Sequence, residues 1–135
     1  MRSSSRSDEY CSTKSIESTT CPGVRFQIRR VSIAGRIELL RRVRGLWNQL
    51  RFHQAGEEVE DKLTEAEVSA ELLRVYLEWG LTGIENLSID GEAAGVPLLN
   101  ERGPEQLCRE IAQAIVSECS LTEDERKNSG SPSIT

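Results

Sequence analysis

Apolar residues recur every three or four positions in two consecutive segments of this chain, 33–51 and 57–79. This spacing places them along one face of an α-helix. Ser32 is a suitable N-cap for the first segment, and Ala55-Gly56 ends it. Because the connection between the segments is short, the sequence predicts an antiparallel αα-hairpin whose apolar stripes face each other. The first stripe comprises Ile33, Ile37, Leu40, Val43, Trp47 and Leu50, widened by Leu39 and Leu46; the second comprises Val59, Leu63, Ala66, Ala70, Leu73 and Leu77, flanked by Val68, Leu72, Val75 and Trp79.

Charge is divided between the two halves of the chain. Residues 1–56 carry 11 Lys and Arg against 4 Asp and Glu, whereas residues 57–135 carry 6 against 18, which together give the net charge of −5. Such a chain can clamp a charged partner, or its halves can neutralise each other. Since the two segments form adjacent helices of a predicted hairpin, much of this charge can pair internally. Exposed pairs contribute little stability each but influence register and the choice of partner.

The remaining segments predict a small sheet and a third helix. Val24, Phe26 and Ile28 alternate with polar residues, which is typical of a half-buried strand. Asp90-Gly91 is a tight-turn dipeptide, so residues 84–94 are expected to form a hairpin that pairs with this strand. Residues 97–102 predict a short helical turn, and Pro104 a third long helix. A last turn is predicted to begin at the capping box Thr122-Glu123-Asp124-Glu125. The apolar face of the third helix comprises Leu107, Cys108, Ile111, Ala114, Ile115 and Cys119.

The predicted fold class is therefore mainly α (α+β). It combines an antiparallel αα-hairpin with a third helix and a small β-hairpin or sheet, in one domain spanning residues 22–126. Residues 1–21 and 127–135 are rich in Ser, Thr, Gly and charge, so we expect a disordered N-terminal arm and a disordered tail. The N-terminal arginines precede no apolar run, which argues against a secretory signal. No segment approaches the roughly 20 apolar residues of a membrane span.

Candidate chemistry is sparse in this sequence. The one histidine, His53, could in principle pair with Cys21, but a histidine at a helix end is more often solvated or a cap. The four cysteines lack a C-x-x-C pair and zinc-ligand spacing. The carboxylates of residues 57–71 lie among many like neighbours on a helix surface, where general acid–base catalysis is not favoured. We therefore expect a protein that is not an enzyme, with no catalytic residues, cofactor or metal.

The basic segment 25–51 raises an alternative function, a small nucleic-acid-binding regulator. Its arginines could follow a phosphate backbone. The isoelectric point near 5.0 argues against this alternative, as do the aromatic residues, which lie on the apolar faces rather than among the arginines. The arginines concerned are Arg25, Arg29, Arg30, Arg36, Arg41, Arg42, Arg44 and Arg51.

Several phrases of the sequence, taken together, form a recognisable pattern across residues 22 to about 130. They are Pro22-Gly23-Val24-Arg25-Phe26-Gln27-Ile28-Arg29-Arg30, Arg36-Ile37-Glu38-Leu39-Leu40-Arg41, Trp79-Gly80-Leu81, Leu87-Ser88-Ile89-Asp90-Gly91-Glu92-Ala93, Arg102-Gly103-Pro104-Glu105-Gln106-Leu107-Cys108-Arg109-Glu110-Ile111 and Leu121-Thr122-Glu123-Asp124-Glu125-Arg126-Lys127-Asn128-Ser129. In these phrases the chain resembles the small tail assembly chaperones of long-tailed bacteriophages and prophages.

The resemblance implies a function in tail morphogenesis. A chaperone of this family coats the long, helical tape measure protein in the cytoplasm of the bacterial host and keeps it soluble until tube subunits polymerise around it. The tape measure protein is thus the expected partner, and the tail tube protein is a further candidate. The resemblance transfers no site residue and sets no oligomeric state. The exposed hairpin residues expected to contact a partner are Arg36, Arg41, Arg44, Glu58, Glu65 and Glu71.

Overall fold

A computed structural model describes the backbone of residues 9–134 and the side chains of residues 9–120. Helices predominate and accompany two small antiparallel sheets, so the predicted α+β fold class is confirmed. In chain order the elements are β1 (Thr13–Glu17), β2 (Arg25–Arg29), α1 (Ile33–Ala55), α2 (Val59–Gly80), β3 (Leu81–Glu85), β4 (Ser88–Ile89), β5 (Glu92–Ala93), α3 (Val96–Arg102) and α4 (Glu105–Ile134).

The core lies where the larger sheet, the two long helices α1 and α2 and the first half of α4 meet. The sheet has the order β1-β2-β3, and all its strands are antiparallel to their neighbours. The predicted alternation along β2 is confirmed, since its inward side chains are fully buried and its outward ones are not. Apolar side chains one turn apart on α4 pack against them. The fully buried residues of this contact are Phe26, Ile28, Leu107, Ile111 and Ile115.

The prediction that residues 1–21 form a disordered arm is wrong for residues 13–17, which form strand β1. Residues 13–17 pair in register with β2, with Ile16 opposite Phe26. The segment offers only Ile16 to the core, which is why its composition did not indicate a strand. Backbone hydrogen bonds to a neighbouring strand do not depend on side chains, so a polar segment can occupy a sheet edge. Residues 1–8 lie outside the described residues.

The backbone of α4 also differs from the prediction at its end. The helix runs without interruption to Ile134, so no new turn begins at Thr122, and residues 127–134 of the expected tail are helical. A capping box starts a helix only where the preceding residues are not already helical. Extending an existing helix by one residue costs far less than nucleating another one.

The hairpin of α1 and α2 is antiparallel, and Ser32 caps α1 as predicted by accepting a hydrogen bond from the Gly35 amide at 3.0 Å. The prediction that the two apolar stripes face each other is wrong for their outer members. Helix α1 buries Leu39, Val43 and Leu50. Helix α2 buries Val68, Leu72 and Trp79, which were expected as a flank, and the stripe member Leu77, whereas the flank residue Val75 is half-buried. The exposed members are Ile33, Ile37, Leu40 and Trp47 on α1 and Val59, Leu63, Ala66 and Ala70 on α2.

The tight turn at Asp90-Gly91 is confirmed, with positive φ values of 52° and 83°. The hairpin around this turn, β4 and β5, forms a two-stranded sheet of its own instead of pairing with β2. Strand β3 takes that place, with Ile84 opposite Phe26. Strand β3 follows α2 without a loop, so residues 81–85 occupy the edge of β2 and the β4–β5 hairpin lies outside this sheet.

A carboxylate on α4 fastens the turn between β1 and β2. Glu110 accepts hydrogen bonds from the Ser18 hydroxyl at 2.7 Å, the Thr19 amide at 2.8 Å and the Thr20 amide at 3.3 Å. Partial burial of the Glu110 carboxyl opposes its ionisation. The hydrogen bonds from Thr19, Ser18 and Thr20 outweigh that effect and lower its pKa from 4.5 to about 2. The charged form of this side chain therefore stabilises the fold.

We expect Glu110→Gln to lower the free energy of unfolding at pH 7 by about 1–2 kcal/mol, because an amide replaces a charged acceptor. The folded-state pKa lies below the unfolded value. The stability difference between wild type and variant is therefore complete above pH 4.5 and shrinks as the pH falls towards 2. Urea denaturation from pH 7 to pH 3 measures it. Glu105→Gln is the matched control, since this exposed α4 carboxylate pairs only along its own helix with Arg109. An equal loss of unfolding free energy in both variants would contradict the conclusion that Glu110 holds the β1–β2 turn.

Gly80 allows the end of α2 to approach α4 closely. A Cβ at this position would lie 2.7–2.9 Å from three carbons of Ile115. We expect Gly80→Ala to destabilise the protein by about 1–3 kcal/mol through overpacking. Gly45→Ala on α1 meets nothing within 4 Å and should instead stabilise it by about 0.8–1 kcal/mol through helix propensity. Urea midpoints of the two variants that shift in the same direction would contradict this reading of the α2–α4 contact.

Candidate binding groove between α1, α2 and α4

A groove runs along the surface where α1, α2 and α4 meet. It consists of two adjoining depressions of about 330 Å³ and about 180 Å³. Both depressions include Trp47, Tyr76 and Val116, one residue from each helix. The packing of α4 against the sheet brings Val116 to this place, and the antiparallel hairpin brings Trp47 beside Tyr76. The groove is therefore a product of the tertiary fold and not of one helix.

The two aromatic residues are joined by a hydrogen bond. The Trp47 indole Nε1 donates to the Tyr76 hydroxyl at 3.3 Å. Each ring offers a large apolar surface, and the Tyr76 hydroxyl oxygen satisfies the indole N–H of Trp47. The pair thus presents an apolar floor to a ligand.

The groove continues into an exposed apolar ridge on α1. We call this the α1 face; it comprises Ile33, Ile37, Leu40, Arg44 and Trp47. The exposed fractions are 82% for Ile33, 50% for Leu40 and 41% for Trp47. Arg41 and Arg51 lie beside it and are exposed. Four large apolar side chains exposed along one helix face, rather than scattered singly, are typical of interaction sites.

The six residues predicted to contact a partner have different environments. Arg36 is half-buried and lines the groove, where its guanidinium donates to the Cys119 carbonyl at 3.2 Å and joins α1 to α4. Arg41 and Arg44 are exposed along α1.

The three glutamates of that prediction lie on α2, outside the linings of both depressions. Glu58 is exposed at the N-cap position of α2. Glu65 lies 3.9 Å from Lys62, and Glu71 pairs with Arg74. The structure thus associates the three predicted arginines with the groove and the α1 face but leaves the glutamates apart from them.

Part of the divided charge pairs across the hairpin. Arg42 lies 3.7 Å from Glu78 near one end, and His53 Nδ1 lies 2.9 Å from Asp61 Oδ1 near the other. The hydrogen bond with His53 lowers the pKa of Asp61. Among the described residues, Arg41 and Arg44 have no ion pair, so the α1 face keeps a positive charge.

Intramolecular contacts also engage several of the arginines that were considered for binding nucleic acid. Arg25 lies 3.8 Å from Glu17, and Arg29 lies 3.8 Å from Glu38. Arg36 and Arg42 have the partners given above. The Arg30 guanidinium carbon lies 5.8 Å from the centroid of the Tyr10 ring, and Arg51 donates to the Asn48 side chain at 3.4 Å. Six of the eight arginines are therefore engaged within the protein, and Arg41 and Arg44 remain exposed among apolar side chains on α1.

The candidate nucleophile and base have separate surroundings. Cys21 lies in the β1–β2 turn, where its amide donates to the Ser18 hydroxyl, while His53 Nδ1 contacts Asp61. Burial raises the pKa of the Cys108 thiol, which disfavours its reactive thiolate form. Within residues 9–120, no group of three or more His, Cys, Asp or Glu side chains is arranged to hold a metal ion. No helix of the described chain is both long and apolar enough to cross a membrane.

Sequence reasoning placed Trp47 on a buried stripe and did not single out Tyr76 or Val116. One signal could have indicated the groove. The eight apolar residues of α1 extend over about half of the helix circumference, which is wider than a single packing partner covers. An apolar stripe wider than its packing partner predicts that one edge of the stripe stays exposed to solvent.

Comparisons with protein-family models, curated proteins and solved structures find no match to this chain.

Proposed function

We propose that this protein is a non-enzymatic chaperone that binds an amphipathic helix of a long helical partner, and that the partner is the tape measure protein of a long-tailed bacteriophage. The observation that carries the proposal is the apolar groove with the exposed α1 face beside it. The resemblance of residues 22 to about 130 to tail assembly chaperones supports the identity of the partner. The tail tube protein, which polymerises around the tape measure, is a further candidate.

The shape of the groove favours a helix as its ligand. The α1 face spans fifteen residues, from Ile33 to Trp47, and the fourteen steps between its ends amount to about 21 Å at the helical rise. A partner helix of about four turns can lay an apolar stripe along this ridge and reach the Trp47–Tyr76 floor, as in other helix-in-groove complexes. Covering such a stripe keeps an elongated helical protein from aggregating before assembly in the host cytoplasm.

The charge of the α1 face sets the expected chemistry of the partner. Arg41, Arg44 and Arg51 are exposed on or beside the ridge. Acidic residues flanking the apolar stripe of the partner would meet them. Charges at the rim of an interface mainly determine association rate and orientation, whereas the apolar contacts supply most of the affinity.

Co-expression with the tape measure protein encoded in the same gene neighbourhood tests the proposal. We expect the wild-type protein to increase the soluble fraction of the tape measure protein and to co-purify with it. Trp47→Asp should abolish both effects, because it places a charge on the groove floor. Phe52→Asp is the matched control, since Phe52 is an aromatic residue on the same helix, 72% exposed and outside the linings of both depressions.

Two outcomes would contradict the proposal. One is the absence of co-purification and of any solubility gain with the wild-type protein. The other is equal loss with Trp47→Asp and Phe52→Asp when both variants keep the wild-type circular dichroism spectrum. Binding of the wild-type protein to DNA or RNA that weakens steeply with salt, without binding of the tape measure protein, would favour the regulator instead.

A further inference from the structure

Helix α2 exposes an apolar stripe of its own, on the side away from its buried face. We call this the α2 face; it comprises Val59, Leu63, Ala66 and Ala70. All four side chains are exposed, with fractions of 76% for Val59 and 65% for Leu63. The acidic residues beside them are exposed as well, namely Glu57, Glu58, Glu60 and Glu67. This molecule therefore carries one basic apolar helix face and one acidic apolar helix face.

The two faces have the same geometry. Members of the α1 face are spaced by 4, 3, 4 and 3 residues, and members of the α2 face by 4, 3 and 4. Alternating steps of four and three form the seam through which helices pair in coiled coils. The α2 face spans twelve residues, about 17 Å from end to end, and the α1 face about 21 Å. The shorter stripe fits within the longer one.

Charge decides which faces can pair. Two α1 faces would bring Arg44 of one copy towards the arginines of the other, and two α2 faces would bring glutamates together. Pairing an α1 face with an α2 face sets Arg41 and Arg44 against glutamates such as Glu60. Like charges flanking a helix seam prevent pairing, and opposite charges select the partner. Within one molecule the two faces do not meet, because α1 and α2 contact each other through their buried sides.

We propose that the α1 face of one copy docks on the α2 face of a second copy. The contact is head-to-tail, so each copy in a pair keeps one face free, and further copies can add to form a ring or an open chain. Two faces of three to four turns make a small interface, which is typical of weak and reversible association. We expect it at micromolar concentrations and above.

This inference has a consequence that rests on the proposed function. A neighbouring α2 presents an apolar stripe with acidic flanks, which is the chemistry expected of the partner helix. Both would occupy Leu40 and Arg44. The neighbouring copy therefore covers the α1 face while no partner is present, and the partner helix displaces it.

Two single-face variants test the head-to-tail contact. Leu40→Asp places an acid on the α1 face and leaves the α2 face intact, whereas Leu63→Lys places a base on the α2 face and leaves the α1 face intact. Both leucines are at least half exposed, so neither change burdens the core. Sedimentation velocity from about 10 μM to about 1 mM then measures the mass of each species; this range covers the micromolar affinities of weak interfaces.

We expect the wild-type mass to rise with concentration and each variant alone to remain monomeric. An equimolar mixture of the two variants should form a 1:1 dimer that grows no further, because each copy contributes its one intact face. Formation of this dimer also shows that both variants are folded. Salt should weaken the dimer, since its charge pairs are exposed.

Three results would overturn the inference. A wild-type protein that stays monomeric throughout would show that a different molecule covers these faces. A variant that dimerises alone would show an isologous contact. A mixture that stays monomeric while the wild-type protein associates would place the contact elsewhere. The tape measure protein takes no part in this experiment. Leu63→Lys should also still co-purify with it, so failure of the inference and failure of the proposed function are distinguishable.

Discussion

Packing of α4 against the central strand β2 is the contact on which the rest of the structure depends. Phe26 and Ile28 on the strand meet Leu107, Ile111 and Ile115 on the helix, and all five are fully buried. Gly80, the last residue of α2, lies against Ile115. Strand β3 begins at the next residue and pairs with β2. Close packing transmits such constraints, because an interior at crystal-like density cannot absorb an added methyl group without moving its neighbours. The positions of α2, β3 and the groove wall at Val116 all follow from this one interface.

The same contact explains why apolar surface remains outside. Helix α4 and the sheet cover one side of the α1–α2 hairpin, whereas the apolar stripes of both helices are wider than that side. The outer members stay in solvent, basic on α1 and acidic on α2. Exposed apolar surface promotes association. Here the surrounding charge selects which surfaces can associate, since like faces repel and unlike faces attract. The proposed chaperone binding and the proposed head-to-tail pairing would both use apolar residues that the fold leaves exposed.

The elements of the fold were largely predictable, and the candidate site was predictable only in part. Helices α1 and α2, strand β2, the Ser32 cap and the turn at Asp90-Gly91 follow from local spacing and local hydrogen bonding. Strand β1 was missed because its pairing uses backbone groups, and its turn is held by Glu110, 90 to 92 residues away in the chain. The predicted arginines lie at or beside the groove. The Trp47–Tyr76 floor was not foreseen, because it joins residues 29 positions apart.

The sequence by itself determined where α1, α2 and β2 form, which charges each helix carries, and that both hairpin helices have more apolar residues than one contact can bury. These properties follow from the period of the chain and the chemistry of neighbouring residues. Only the tertiary structure decided which edge of each stripe is buried, that β3 rather than the β4–β5 hairpin pairs with β2, and that α4 supplies the third wall of the groove. The physical reason is competition for a limited apolar surface. All apolar edges are stabilised by burial, but α4 and the sheet can cover only some of them, and the best-packed combination leaves the others exposed.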